Sequence, residues 1–272
     1  MRYKQLIILA AAISLHSLIK AQNISIQCIY LEDYSSKLDN PAKKKYDEWC
    51  LDIQNNHSAF YSTRERAYQH LKDSMIAKGY GFHDIVEASQ KIMKSIQTLS
   101  IYKNIPKNNE WTITDKILTK RFKYVEKIQH PTWKLSQHTK KILGHNCQQA
   151  STEFLGRKWI VWFTPDIPIQ EGPWKLWGLP GLILDARDTN EYFHFYCIEI
   201  KNTTVHPIKI EPYKYLKITR TKLLKEIWEF DANTGHYYKT RLGKKWLCYT
   251  PDGTPMKAYN AHPICLERVT FK

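Results

Sequence analysis

The 272-residue sequence lacks the short motifs by which common enzymes are recognised. It contains no H-E-x-x-H of zinc proteases, no G-x-S-x-G of hydrolases and no G-x-x-x-x-G-K-[ST] of nucleotide-binding loops. It also has no C-x-x-C, which argues against a thioredoxin-type site and a zinc ribbon. We therefore predict no cofactor, no metal site and no catalytic residues, and favour a binding protein over an enzyme.

Long apolar runs are also missing, except for one near the start of the chain. Arg2 and Lys4 precede the run Leu6–Leu15, and a small residue, Ala21, follows it. This order is typical of a secretory signal peptide, and the run is about half the roughly 20 residues of a membrane-spanning helix. We predict a signal peptide over residues 1–21 that is cleaved after Ala21. The remaining chain then has no transmembrane helix and is exported to the periplasm, the outer membrane or the medium.

Acidic residues are scarce relative to basic ones: 26 Asp and Glu stand against 41 Lys and Arg, a net charge of +15. Such a charge favours anionic partners. Because an exported protein rarely meets nucleic acid, we expect an anionic lipid, a glycolipid or a peptide instead. A solvated basic surface without a specific partner remains the alternative.

Six cysteines lie in the exported part of the chain, where disulfides are permitted. They allow 15 pairings, among which sequence cannot choose. Cys248 and Cys265 flank a turn at Pro251–Gly253, so they are a candidate disulfide across a hairpin. Free buried thiols are the alternative.

Periodicity predicts a mainly β (α+β) fold, a curved antiparallel sheet or half-barrel, in a single domain over residues 22–272. A helical insertion is expected at about residues 62–99, with one helix capped by Ser62 and a second running from His83 to about Leu99. A further short helix is expected at Lys222–Phe230. Strands are predicted at residues 24–30, 46–53, 58–61, 122–125, 142–154, 158–164, 182–187 and 192–201, with a final hairpin at 248–272.

Scattered polar residues offer weaker alternatives for a site. A histidine precedes a cysteine by two positions at Cys147 and by three at Cys197, which permits a mixed metal site but fits ordinary sheet residues better. Four acidic residues could supply paired carboxylates, although turn roles are favoured for the first and last of them: Asp166, Glu171, Asp185 and Asp188.

The most informative segment is W-G-L-P-G-L-I-L at residues 177–184. Gly178 and Gly181 allow positive φ or close backbone approach, and Pro180 fixes φ between them. The favoured interpretation is a packing corner that buries Trp174 and Trp177. The other interpretation makes these aromatic rings a wall of a peptide or glycolipid groove. The preceding connection, Pro165–Pro173, is rich in proline and is expected to cross the surface as a loop.

This segment resembles the motif of the GLPGLI family of exported proteins, common in Bacteroidota. The resemblance extends upstream through Gly156–Trp159, Val161–Pro168 and Gly172–Lys175, although the stretch before Cys265 departs from the family pattern. The family is often found beside TonB-dependent outer-membrane receptors and has no assigned activity. Candidate binding residues on the matching positions are Arg157, Trp162, Pro168, Trp174, Trp177, Gly178, Leu179, Pro180 and Gly181.

The sequence therefore predicts a non-enzymatic binding or accessory protein of a TonB-dependent uptake or envelope system. The first alternative is a secreted hydrolase or peptidase with a site spread over distant loops. A purely structural envelope component is the second.

Overall fold

A computed structural model describes residues 25–35, 42, 44–90, 92, 97–203, 207–243 and 265–267. Within these ranges, twelve strands form one open sheet and four short helices accompany it. The strands are β1 Ser25–Tyr34, β2 Lys45–Gln54, β3 His57–Ser62, β4 Ser100–Lys103, β5 Glu110–Ile117, β6 Lys120–Lys127, β7 Lys134–Ile142, β8 His145–Phe154, β9 Arg157–Thr164, β10 Leu182–Asp188, β11 Phe193–Asn202 and β12 Leu216–Lys217. The helices are α1 Thr63–Ala77, α2 Phe82–Ser89, α3 Arg220–Ala232 and α4 Thr234–Leu242.

The strand order is β12-β6-β5-β4-β3-β2-β1-β11-β10-β9-β8-β7. All neighbours pair antiparallel except β12 and β6, which are parallel. Strands β1–β6 form one meander and strands β7–β11 form another. The pairing of β1 with β11 joins the two meanders in the middle of the sheet. The predicted mainly β fold, with helices inserted into an antiparallel sheet, is confirmed.

Side chains alternate between the two faces of this sheet, as the period of a strand requires. In β1, Cys28 and Tyr30 are fully buried, whereas their neighbours are partly exposed. The buried set joins Trp49 of β2, Trp159 of β9 and Phe195 of β11 in one large hydrophobic cluster, and we call its side of the sheet the inner face. The β-branched and aromatic composition of these strands therefore becomes the core.

The opposite, outer face is covered in part by an extended segment that follows β11. Ile208 and Ile210 of this segment pack against a second, smaller cluster that contains Cys50, Tyr61 and Tyr102. The extended segment then enters β12 beside β6.

The helices begin largely where the sequence predicts them. The hydroxyl of Ser62 accepts a hydrogen bond from the backbone N–H of Glu65 and caps α1. The second helix is shorter than predicted: α2 ends at Ser89, and residues 97–99 are not helical. The backbone N–H of Gln97 donates to the carboxylate of Asp47 on β2, 2.8 Å away, so contact with the sheet replaces helical hydrogen bonding there.

The proline-rich connection between β9 and β10 lies at the surface over its first part and is buried over its last part. It starts at the surface with Pro165 and Asp166 exposed, but then turns under the sheet. Trp174, Leu176 and Leu179 are 0–5% exposed and belong to the main core. The expected surface loop, Pro165–Pro173, is exposed or partly exposed up to Glu171, and burial begins at Gly172 and Pro173. The segment after it is buried because the inner face of an open sheet needs an apolar cover, as expected for Trp174.

The two glycines of the central motif serve the two purposes considered from sequence. Gly178 has a φ of +89°, a conformation that other residues adopt only with strain. A Cβ on Gly181 would lie 2.1 Å from the carbonyl oxygen of Thr164, so this position requires close backbone approach. We call the connection between β9 and β10 the inner loop. Its turn is therefore set by backbone packing as well as by Pro180.

Several predictions concern residues outside the described ranges, among them the signal peptide and most of the final hairpin. Cys28, Cys50, Cys147, Cys197 and Cys265 are free thiols in the described part of the chain. Cys248, the predicted partner of Cys265, lies outside it, so that disulfide stays a prediction.

Of the helices in the described ranges, none combines the length and the apolar character that crossing a bilayer would require.

Replacing Gly181 by alanine is expected to lower the free energy of unfolding by about 2–3 kcal/mol, because the new methyl group overlaps the backbone at Thr164. Urea denaturation of the wild type and the variant measures the difference. Gly81→Ala is the control, since a Cβ there meets only the Asp84 carboxylate at 3.5 Å, and should cost less than about 1 kcal/mol. Equal stability of both variants would contradict the close approach.

Candidate functional site

A concave site of about 740 Å³ opens at one end of the sheet, and we call it the rim groove. Four connections meet there: the β2–β3 turn, the β4–β5 turn, the chain that leaves β6, and the inner loop between β9 and β10. Its lining consists of Ile53, Asn55, Asn56, Lys103, Asn104, Asn109, Lys127, Ile128, His130, Pro168, Ile169, Gln170, Glu171 and Trp177.

One wall of the rim groove is the half-buried indole of Trp177. The indole Nε1 donates a hydrogen bond to the carbonyl of Gln129 at 2.9 Å. The backbone carbonyl of Trp177 accepts a hydrogen bond from Nε1 of Trp133 at 2.8 Å. The imidazole of His130 lies 4.2 Å from the indole, measured between ring centroids. The ring is therefore held in one orientation by the chain that leaves β6.

The floor of the groove contains one ion pair. Nζ of Lys103 lies 2.7 Å from a carboxylate oxygen of Glu171, and the hydroxyl of Ser58 donates to the other oxygen at 3.3 Å. The same ammonium stands 3.5 Å from the centroid of the Trp177 ring, a cation–π distance. Burial raises the pKa of the Glu171 carboxyl, while Lys103 and Ser58 act in the opposite direction. The ion pair thus fastens the inner loop to β4 and β3.

Amide side chains surround the indole and the ion pair. Asn55 and Asn109 have φ values of 55° and 62°, so their turn positions already favour asparagine. The amide of Asn104 accepts a hydrogen bond from the N–H of Asn109 in its own turn and donates one to the carbonyl of Asn56 in the β2–β3 turn. Within the described ranges, the side-chain amides of Asn55, Asn56, Asn109 and Gln170 have no protein partner and are available to a ligand.

A second, inner cavity of about 320 Å³ lies deeper, between the inner face and α3. Two of its charged side chains, Lys175 and Glu267, belong to one paired network. Nζ of Lys175 lies 2.6 Å from Glu126 and 2.5 Å from Glu267, and Arg220 contacts the same Glu267. Burial raises the pKa of Asp115 to about 6, although hydrogen bonds from Thr98 and the backbone of Lys116 oppose the shift. These groups hold the core together, which makes the rim groove the better candidate site.

The predicted binding residues separate into three places. Pro168 and Trp177 line the rim groove. Trp162 points to the outer face, because its neighbours Val161 and Phe163 are fully buried on the inner one. The remaining six lie in the core or in the turn behind the groove: Arg157, Trp174, Leu179 and Gly181 are buried, and Gly178 and Pro180 form the turn.

Arg157, one of the predicted binding residues, forms contacts inside the fold. Its guanidinium is 2.9 Å from the carboxylate of Asp188 and donates to the carbonyls of Cys265 and Leu266. Asp188 also accepts the N–H groups of Tyr192 and Phe193, in the turn role expected from sequence. The pair joins the β9–β10 region to residues 265–267 and leaves neither side chain exposed.

The other polar candidates do not converge on the groove. Asp185 on the outer face receives hydrogen bonds from Lys140 and His194, which lower the pKa of its carboxyl against the effect of burial. His145 lies 3.6 Å from Asp166 at the start of β8, outside the groove lining. Among the described residues, no group of three potential metal ligands occurs.

Sequence reasoning missed most of the groove. The turn signals around Asn55 and around Asn104–Asn109 were readable, but each turn alone indicates only a reversal of the chain. Lys103, Lys127 and His130 carry no local pattern at all. Their meeting depends on the strand order, which brings β2, β4 and β6 to the same end as the inner loop.

An open antiparallel sheet with its inner face covered by its own loop defines the class of fold. Residues 88–224, about half of the chain, match the family described as "N-glycanase peptide, N-terminal domain". The protein therefore belongs to this family.

Two solved structures of PNGF-II, in the C2 and P21 space groups, share the fold. They superpose with TM-scores of 0.50 and 0.51 at 16% and 15% sequence identity, and each comparison covers 77% of this chain. This chain spans 34% of the length of the solved chains, about a third. No curated protein is significantly similar in sequence.

Replacing Lys103 by methionine is expected to destabilise the protein by about 2–4 kcal/mol near pH 7, because it leaves the Glu171 carboxylate buried without its cation. The loss should be smaller at mildly acidic pH, because burial raises the pKa of the Glu171 carboxyl and so favours its neutral form as the pH falls. Chemical denaturation at the two pH values measures both effects.

The matched control is Lys107→Met, which removes an exposed lysine from the same turn region, with a side chain 76% exposed. It should change stability by less than about 1 kcal/mol. The double variant Lys103→Met/Glu171→Gln should recover part of the loss. A penalty that is equal at both pH values, or that the second substitution does not relieve, would contradict the proposed ion-pair role.

Proposed function

We propose that this protein is an exported, non-enzymatic binding module that holds the carbohydrate part of a glycoconjugate in the rim groove. The observation that carries the proposal is the combination, in one groove, of an anchored indole and several amide side chains that have no partner among the described residues. The partner class follows from what such a lining can recognise.

A saccharide has an apolar ring face and a rim of hydroxyl groups. Lys103 and His130 cover part of the Trp177 indole, and its remaining exposed surface can pack against the ring face. Amides can donate to and accept from hydroxyls at the same time. The groove's volume, about 740 Å³, falls in the range of roughly 300–1,000 Å³ usual for small-molecule sites. Asn55, Asn56 and Asn109 lie in short turns between neighbouring strands, which limits the conformational entropy lost on binding.

Binding is favoured over hydrolysis by the charged groups of the same groove. Glycoside hydrolysis normally uses a pair of carboxyl groups that flank the bond to be cleaved. The described lining of the groove supplies one, Glu171, and it is engaged by Lys103 and Ser58. The described residues therefore give a holder of saccharides more support than a glycoside hydrolase of this type.

The wider setting belongs to the same proposal. The description of the matching family names an N-glycanase, and PNGF-II shares the fold. A glycan-related role for this protein is consistent with these relatives. The signal-like N-terminus and the G-L-P-G-L-I segment support export and membership of the GLPGLI family. We place the module, as an accessory, beside a TonB-dependent uptake or envelope system.

The test measures binding of the protein to an array of N-glycans released from glycoproteins, followed by calorimetry on the best ligand. The double variant Asn56→Ala/Gln170→Ala removes two exposed amides of the groove and should weaken binding about tenfold, since each lost hydrogen bond is worth roughly 0.5–1.5 kcal/mol. Trp177→Ala should weaken it further.

Asn108→Ala/Gln137→Ala is the matched control, because both side chains are exposed and lie outside the groove. It should bind as the wild type does. Circular dichroism and thermal melting establish that each variant folds, which matters most for Trp177→Ala. Absence of any saccharide binding by the folded wild type, or equal binding by all variants, would refute the proposal.

A further inference from the structure

We propose that the rim groove selects saccharides that carry an acidic group, and that Lys127, with His130 beside it, receives that group. The inference rests on the proposed function and adds the ligand class. The shared chemistry is an anionic substituent on a sugar: a carboxylate, a sulfate ester or a phosphate ester.

The charges of the groove are the first argument. Its described lining contains four ionisable side chains: Lys103, Lys127, His130 and Glu171. Lys103 and Glu171 neutralise each other across 2.7 Å. Lys127 forms no ion pair among the described residues, so the groove keeps one uncompensated ammonium and one imidazole but no uncompensated carboxylate.

The position of these two residues is the second argument. Lys127 ends β6, and His130 follows three residues later, with its ring 4.2 Å from the indole of Trp177. The indole N–H is bonded to the carbonyl of Gln129, between them in the chain. A sugar that lies along this wall therefore meets an ammonium and a ring nitrogen at its edge, where an acidic substituent would project.

The neighbours of Lys127 leave its charge available. Its cross-strand partner on β5 is Glu110, but the carboxylate of Glu110 lies 3.2 Å from Nζ of Lys107. Lys127 itself is exposed and lies at the edge of the groove. A charge in this setting attracts anions without a large desolvation cost, and the net charge of +15 adds long-range attraction.

The experiment compares two forms of one ligand that differ in charge: a sialylated biantennary N-glycan, and the same glycan with its carboxylates converted to amides. The wild type should bind the acidic form about fivefold more tightly at low salt, as expected for one partly exposed ion pair. The preference should shrink at about 0.5 M salt, where the charges are screened.

Three lysine variants assign the preference to one side chain. Lys127→Gln should abolish it while leaving the affinity for the amidated glycan within about twofold. Lys127→Arg keeps the positive charge and should keep the preference. Lys120→Gln is the control, since it removes the same charge from the other end of β6, outside the groove lining.

Sulfated and phosphorylated glycans on the same core distinguish the sources of the acidic group. Tighter binding of any of the three acidic forms, lost in Lys127→Gln, supports the inference. Equal binding of the acidic and neutral forms overturns it while leaving the proposed function standing. A preference that survives in Lys127→Gln also overturns it, because the acid then binds elsewhere. Failure of every glycan to bind overturns the proposed function and this inference together.

Discussion

The fold of the inner face depends on the ion pairs that the buried ammonium of Lys175 forms. Its side chain is 1% exposed, and its three donors meet three acceptors: Glu126, Glu267 and the hydroxyl of Tyr124. Arg220 balances the second carboxylate, so the network is neutral overall. A buried charge is tolerated only with such complete pairing. Lys175 thereby joins the inner loop, β6, α3 and residues 265–267 at one point.

This anchoring explains why the groove can have a fixed shape. Trp174, directly before Lys175, packs in the core against Trp159, whereas Trp177, two residues after it, reaches the rim. The packing interpretation therefore holds for Trp174, whereas Trp177 lines the rim groove, where ligand binding stays a proposal. A loop pinned in the core at Lys175 and fastened at Glu171 to Lys103 presents Trp177 with little freedom of its own.

The sequence allowed much of the sheet to be predicted, because alternation and turn residues act locally. The strand around Cys28 follows from a period-two pattern, and the strand around Trp159 follows from its β-branched and aromatic residues. The exposed edge strand β7, rich in polar residues, gave no such signal. The G-L-P-G-L-I segment did indicate a packing corner that buries Trp174, but the point at which the inner loop turns under the sheet is decided by the open sheet and not by local propensity. The groove required the strand order as well.

The filled inner face also bears on where a ligand can bind. Because the inner loop and the Lys175 network occupy the centre, a ligand reaches the sheet most readily at its end, where the turns are. Residues such as Asn56, Gln170 and Lys127 are exposed there and contribute little to the core. Their side chains can therefore differ without destabilising the fold, whereas Lys175 and Arg157 cannot. This division places ligand selection in the turns and stability in the buried ion pairs.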